Sequence, residues 1–151
     1  MPVISWPHAH AAHTIADYLR DSSAAEDRVT TRVPRQRVYP LIVVQPAGLG
    51  RLGTDSAIQA DEARLQIDAW AETQEQALAI AAIIFRLLDA RFAGALRDTT
   101  LLTEDEAVPG TYYQMMIEWI HRSGGGDVYF DEIAEVFRVT AFYNVKINIT
   151  A

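Results

Sequence analysis

The clearest pattern in the chain is a strict alternation of apolar and polar positions near its C-terminus. Apolar side chains occupy every second position and share one face: Phe137, Val139, Ala141, Tyr143, Val145, Ile147 and Ile149. Polar residues, among them Arg138, Thr140 and Lys146, occupy most positions between them. The pattern predicts a long strand over residues 135–149 with one buried side. Its register should be well fixed, because a slip by one residue would bury charged side chains.

Three other segments are typical of strands. Residues 62–71 alternate in the same way, and residues 112–121 form a further predicted strand. Residues 38–44 are rich in β-forming side chains but contain Pro40. Because proline has no backbone N–H to donate, this strand either begins at Leu41 or lies at an edge of the sheet.

Two segments have the apolar spacing of amphipathic helices. The first covers residues 8–21. The second begins after Thr73, which forms a capping box with Gln76, and extends to about Arg91. Its buried stripe is predicted to consist of Ala77, Ile80, Ala81, Ile84, Leu87 and Leu88. A stripe this wide and aliphatic is expected of a helix that lies across a sheet.

The order of these elements predicts the fold class. Helix, strand, strand, helix, strand and strand follow one another in 151 residues, without an internal repeat or linker. We therefore expect a single α+β domain over residues 1–151. Its four-stranded, mostly antiparallel sheet should carry the long helix on one face, with an additional N-terminal helix. Residues 46–61 and 123–134 are predicted to be long loops that either contact partners or are mobile without a role.

The composition limits the possible functions. A formal net charge of −7 argues against general affinity for DNA or anionic lipid, since phosphate contacts need a basic surface. The chain has no cysteine, which excludes disulfides, all-thiolate zinc sites and a thiol nucleophile. Its longest apolar run, residues 77–85, is far shorter than the ~20 residues that span a bilayer, so no membrane contact is expected.

One segment matches the sequence motif of a known binding site. Residues 48–53, which include Gly48 and Gly50, follow a β-rich run and fit the G-x-G-x-x-G turn that lets a helix N-terminus approach a pyrophosphate. Only about ten residues remain for a crossover helix before the next strand. Dinucleotide binding is therefore the weaker interpretation of this stretch.

No other pattern indicates a chemical site. The N-terminal histidines His8, His10 and His13 lack a fourth ligand and supporting residues nearby, so a solvated helix start is preferred over a metal site. His121 has no neighbouring nucleophile to activate. No catalytic, cofactor or metal site is predicted, and the chain is not expected to be an enzyme.

Charged residues form two clusters of opposite sign. Arginines gather in residues 28–37, and carboxylates gather in the C-terminal third of the chain. In a head-to-tail ring each subunit presents two different surfaces, so opposite patches on one chain can meet between neighbours. Phosphate binding by the arginines is the less favoured alternative. The predicted subunit or partner interface consists of Arg32, Arg35, Arg37, Gly48, Gly50, Arg51, Asp131, Glu132 and Glu135.

Several short patterns follow one another in a characteristic order. The run RVYPLIVV at residues 37–44 leads into a long connection, and the run LQIDAWA at residues 65–71 precedes the aliphatic helix and the alternating C-terminal strand. This arrangement over residues 18–149 resembles the tail terminator, or tail completion, proteins of long-tailed bacteriophages. The histidine-rich N-terminus and the glycines at residues 124–126 depart from the pattern of that family, and their roles stay open.

The resemblance implies a structural virion protein without cofactors that forms a homo-oligomeric ring, expected to be a hexamer. Such a ring docks on the last ring of tail-tube protein, ends polymerisation and presents a surface to head-completion or neck proteins. DNA passes through the ring without specific binding. The implied location is the head-proximal end of the tail, after assembly in the host cytoplasm. The alternatives are another neck or connector protein that joins head and tail and, with less support, a small nucleotide-binding domain that uses residues 48–53.

Overall fold

The computed structural model describes residues 10–22, 25, 28–55, 60–90, 100–104, 109–110 and 112–150. Two helices and six strands make up these described residues. In chain order they are α1 (His10–Asp21), β1 (Val29–Thr30), β2 (Leu41–Asp55), β3 (Ala60–Ala71), α2 (Gln74–Phe85), β4 (Thr100–Glu104), β5 (Tyr112–Asp131) and β6 (Val136–Thr150). A π-helical segment, Arg86–Ala90, continues α2. The class is α+β, as predicted.

The strands form one sheet in the order β1-β2-β3-β6-β5-β4. Every pair is antiparallel except β1 with β2, which confirms the predicted mostly antiparallel sheet. The predicted number of four strands and the element order derived from it are wrong, because β1 and β4 were missed. These strands have two and five residues, too few to show a reliable apolar period.

The two predicted long loops are mostly strand. Residues 46–55 continue β2, and residues 123–131 continue β5. Both stretches contain glycines, which sequence patterns associate with turns. The ladders accommodate these glycines through irregularities in register, between Pro46 and Gly53 in one hairpin and between Arg122 and Val128 in the other. The glycines therefore mark bulges inside two long hairpins.

The main core lies between the sheet and the two helices, which pack on the same face. On α2 and the π-helical segment that continues it, Ala77, Ile80, Ile84 and Leu88 are buried, and Ala81 and Leu87 pack against the same core. The predicted stripe of this helix is confirmed. The odd positions of β6 from Val139 to Val145 also face this core, as the alternation predicted.

The starting points of two elements follow from single residues. β2 begins at Leu41, directly after the proline that cannot donate a ladder hydrogen bond. Helix α2 begins after Thr73, whose side-chain oxygen accepts a hydrogen bond from the N–H of Gln76 at 3.2 Å. Neither described helix has the length and apolar character needed to cross a bilayer.

A smaller apolar cluster lies on the opposite, helix-free face of the sheet. It consists of Leu41, Val43, Trp70 and Val136, with Tyr39 and Ala134 packed against it. β3 is therefore buried on both faces near its C-terminal end, where a single buried side was predicted. Asp68 and Trp70 are only 3% and 5% exposed. The polar pattern was misleading because loop residues fold over this end of the sheet.

Tyr143 makes the stability of the core sensitive to high pH. Burial raises the pKa of its phenol to about 12, Arg122 opposes this change, and Asp89 adds to it. Because the unfolded chain has a tyrosine pKa of about 10, the folded state holds this proton more tightly. The contribution is complete below pH of about 10 and is lost as the pH rises towards 12.

Two pKa units correspond to about 3 kcal/mol of unfolding free energy. Urea unfolding of the Y143F variant between pH 9 and pH 12, roughly the interval between the two pKa values, should show a smaller loss of stability than the unmodified chain. Equal losses in the two proteins would mean that Tyr143 is not the responsible group.

Candidate interaction surfaces

The turn between β5 and β6 is a compact acidic projection, which we call the acidic tip (residues 131–135). The Asp131 side chain shapes it by accepting hydrogen bonds from the N–H groups of Ile133 and Ala134, at 3.0 and 3.1 Å. Glu135 closes the turn with a positive φ of 55°. Ile133 is 99% exposed, and Glu132 and Glu135 are exposed beside it. The tip thus presents one apolar side chain among carboxylates.

The basic segment (residues 28–37) is partly anchored to its own subunit. The Arg28 guanidinium donates to the carbonyl oxygens of Pro40 and Tyr39, at 2.9 and 3.3 Å. Arg37 lies over the ring of Trp70, 5.3 Å from its centroid. Arg32 and Arg35 are exposed. Arg32 and Arg35 are therefore the predicted interface arginines of this segment for which the described residues provide no side-chain contact.

The predicted interface residues divide between the two ends of the sheet. Leu41 pairs with Trp70, and Ala71 pairs with Phe137, so the basic segment and the acidic tip lie at one end. Gly48, Gly50 and Arg51 lie in the part of β2 that runs towards the other end. The side chain of Arg51 is outside the described part of the structure. The predicted interface residues therefore lie on two separate parts of the subunit.

The Gly-rich fingerprint at residues 48–53 is not in a nucleotide-binding context. It lies inside β2, which continues to Asp55 and pairs antiparallel with β3. The dinucleotide motif needs a turn from a strand into a helix, so that the helix N-terminus faces the pyrophosphate. The strand at residues 48–53 therefore contradicts the strand-to-helix turn that the nucleotide-binding alternative requires.

Arginines and aromatic rings alternate on the helix-free face of the sheet. Arg138 lies between the rings of Trp70 and Tyr129, at 5.2 and 5.6 Å from their centroids. Arg64 lies 4.6 Å from the ring centroid of Phe142. Contacts at these distances are attractive cation–π interactions. They stiffen long side chains that would otherwise be mobile, and so provide a pre-organised contact surface.

A buried carboxylate joins two strands beneath this surface. Asp68 accepts a hydrogen bond from the hydroxyl of Thr140 at 2.6 Å and from the amide of Gln66 at 3.1 Å. A shallow depression of about 220 Å³ lies beside this network, with Thr140 and Phe142 in its lining. The hydrogen bonds explain how Asp68 is tolerated at a buried position.

The outer side of α2 forms a second, larger depression, which we call the α2 groove. It has a volume of about 310 Å³ and lies between the helix and the β5–β6 hairpin. Its lining combines apolar side chains with two guanidinium groups: Leu78, Ala82, Phe85, Val139, Arg86 and Arg122. The groove thus has the opposite charge to the acidic tip.

The helix that forms this groove is apolar on its outside as well as on its buried side. Between Glu75 and Arg86 it carries no charged residue. Leu78, Ile83 and Phe85 are exposed large apolar side chains. A helix that is apolar all round is normally buried. The sequence signal was present in the apolar run at residues 77–85, from which only the stripe that faces the sheet was predicted.

Side chains that could bind a metal ion do not cluster in the described part of the chain. There, no three His, Asp or Glu side chains are placed to hold a metal ion. The metal alternative for the N-terminal histidines concerns side chains outside the described residues. The exposed features defined by the fold are candidate contact surfaces: the acidic tip, the basic segment, the arginine–aromatic face and the α2 groove. They define an α+β protein with several surfaces suited to assembly.

Comparison with known proteins identifies the family. The model of the family described as Tail completion protein gp17 matches residues 13–109. This match covers more than half of the chain, and the chain therefore belongs to the tail completion protein gp17 family. Its role is structural, in a phage tail. No curated protein gives a significant match.

A solved structure supports the fold independently. A chain from the virion of a native gene transfer agent particle superimposes with a TM-score of 0.61. The alignment covers 95% of this chain and 99% of that chain, at 12% sequence identity. At this identity the similarity concerns the fold.

Proposed function

We propose that the protein forms a ring, expected to be a hexamer, that caps the phage tail tube and ends its polymerisation. The family match over residues 13–109 is the observation that carries this proposal. In the proposed role, one side of the ring contacts tail-tube protein and the other contacts head-completion or neck proteins. Its place is the head-proximal end of the tail, after assembly in the host cytoplasm.

The surfaces described above support a function based on assembly. The apolar outer side of α2 and the exposed Ile133 on the acidic tip are surfaces that a partner can cover. These surfaces also carry charges of opposite sign, which favours contacts between unlike parts of identical subunits. We further propose that the protein has no catalytic activity and acts only through contacts.

The net charge agrees with a channel for DNA. Six copies would carry a formal charge of −42. A ring with this charge repels passing phosphates and so does not retain the DNA. DNA would cross the ring without specific binding.

The decisive experiment measures tail length. Particles that lack this protein should have tails of uncontrolled, excessive length in electron micrographs, and the supplied protein should restore a uniform length. Loss of a neck protein would instead leave tails of normal length without heads. Tails of normal length after deletion would overturn the proposed terminator role in favour of a neck or connector role.

Charge reversal tests the predicted ring contact between Arg32, Arg35 or Arg37 and the residues of the acidic tip. The R32E/R35E variant is preferable to one that changes Arg37, because Arg37 also contacts Trp70. If this contact holds the ring together, the variant should abolish the ring in native mass spectrometry, because like charges would face each other across the contact. The circular dichroism and thermal unfolding of the subunit should stay unchanged. An intact ring would refute this pairing.

A further inference from the structure

We propose that the acidic tip of one subunit docks into the α2 groove of the next subunit. The inference rests on the proposed ring and assigns the surfaces that hold it together. The occupant of the groove is thus a second copy of this chain. Ile133 enters the apolar part of the groove, and Glu132 and Glu135 face Arg86 and Arg122 at its rim.

The exposed Ile133 on the structured acidic tip is an apolar group that a partner could cover. A single exposed apolar residue is common on protein surfaces, but Ile133 is 99% exposed at the end of a structured hairpin. The two hydrogen bonds to the Asp131 side chain hold the turn around it. Below the turn, the rings of Phe130 and Phe137 are packed 5.0 Å apart. The tip is therefore pre-organised and loses little conformational freedom when it binds.

The groove is complementary to the tip in polarity and in charge. Leu78, Ala82 and Phe85 provide an apolar lining, and α2 has no carboxylate between Glu75 and Arg86. Arg122 is held in place because its guanidinium donates to the Gly125 carbonyl and lies 5.9 Å from the ring centroid of Phe85. The groove thus offers two guanidinium groups beside an apolar surface, which suits an isoleucine flanked by glutamates. The Asp89 carboxylate next to Arg122 accepts a hydrogen bond from the Arg122 backbone N–H at 2.6 Å.

The tip cannot occupy the groove of its own subunit. Val139 in the groove and Ile133 at the tip belong to the same paired hairpin, so their separation is fixed by the ladder between β5 and β6. A contact between two different surfaces of identical chains is heterologous, and it closes into a ring when the rotation permits. This geometry is the kind that the proposed function requires.

The basic segment competes with the groove as the partner of the acidic tip. Tyr39 and Ala134 pack on the same small cluster, so the basic segment and the acidic tip lie side by side on one subunit. A head-to-tail contact joins surfaces at different places on the subunit. The groove on α2 satisfies this condition better than the basic segment does.

Disulfide cross-linking tests the docking directly, because the chain contains no cysteine of its own. Two full-length single variants, I133C and A82C, are mixed with tail-tube protein and oxidised. Both positions are exposed, so the folded subunit should tolerate the changes. Cross-linked pairs should form in the mixture, whereas neither variant should form them alone. V38C replaces I133C in the control, since Val38 is also exposed, and should give no pairs with A82C.

The I133C/A82C double variant distinguishes failure of the inference from failure of the proposed function. A covalent ladder that ends at the size of the ring supports both. A ring that assembles on tube protein without cross-links overturns the docking of the tip into the groove but supports the proposed ring. Cross-links that stop at the dimer support the docking and overturn the ring. A protein that stays monomeric with tube protein overturns both.

A charge swap provides a second test. E132R/E135R and R86E should each reduce ring formation at least tenfold, and the combined variant should recover most of it. R86E is chosen in preference to a change at Arg122, which also holds the hairpin. The same swap with R35E in place of R86E should give no recovery. If E132R/E135R recovered ring formation in combination with R35E and not with R86E, the basic segment would be the partner of the acidic tip.

Discussion

Replacing Gly125 by alanine should lower the unfolding free energy by about 3 kcal/mol or more. Gly125 lies in a bulge of β5 with a φ of +84°. A Cβ atom there would lie 2.5 Å from the backbone oxygen of Thr140 and 2.7 Å from the Cα atom of Ala141. Both atoms belong to the paired strand β6, so they cannot move aside without breaking the ladder. For a domain of this size the midpoint of thermal unfolding should fall by roughly 10 °C.

The adjacent glycine provides a matched control. A Cβ atom at Gly124 meets no atom within 4 Å, and its φ is not in the left-handed region. G124A should therefore change the stability by less than about 1 kcal/mol. Thermal unfolding followed by circular dichroism measures both variants. Similar stability of G124A and G125A would show that β5 lacks the bulge described here.

This pair of glycines also explains a limit of sequence reasoning. Three consecutive glycines after Ser123 favour a flexible turn, because glycine accepts positive φ without steric cost. The structure uses the same property inside a strand, where the positive φ at Gly125 and Gly126 produces a bulge. Local chemistry predicted the backbone conformation, while the pairing with β6 determined that the strand continues.

The main elements of the fold were predictable because their patterns are long. The alternation in β6 and the stripe on α2 each involve at least six apolar positions on one face. The proline before β2 and the cap before α2 fixed where these elements begin. The strand number could not be predicted, since β1 and β4 are short and depend on partners distant in sequence.

The positions of the charged residues on the fold could be predicted only in part, because charge clusters in a sequence reveal composition and not position. The acidic residues before β6 lie on an exposed tip. The arginines divide between roles: Arg28 binds backbone carbonyls within the subunit, whereas Arg32 and Arg35 are exposed. The α2 groove was missed because it is formed by residues from the helix and from both strands of the hairpin.

Replacing Trp70 by alanine should produce the second large effect, a loss of about 3 to 5 kcal/mol of unfolding free energy. Trp70 is 5% exposed and belongs to the cluster on the helix-free face. Arg37 and Arg138 lie over its ring, so the change also removes two cation–π contacts. Because Arg37 is part of the basic segment, W70A should release this segment from the sheet. Tryptic cleavage after Arg35 and Arg37 should then become faster.

A phenylalanine at the same position separates the ring from its N–H group. The indole Nε1 of Trp70 is buried and has no hydrogen-bond partner among the described residues. W70F keeps an aromatic face for the arginines and removes this unpaired donor, so its loss should be clearly smaller than that of W70A. Y129A, at a half-exposed ring that contacts Arg138 in this way, should cost less than about 1 kcal/mol. If W70A were no more destabilising than Y129A, Trp70 could not be what fastens the basic segment to the sheet.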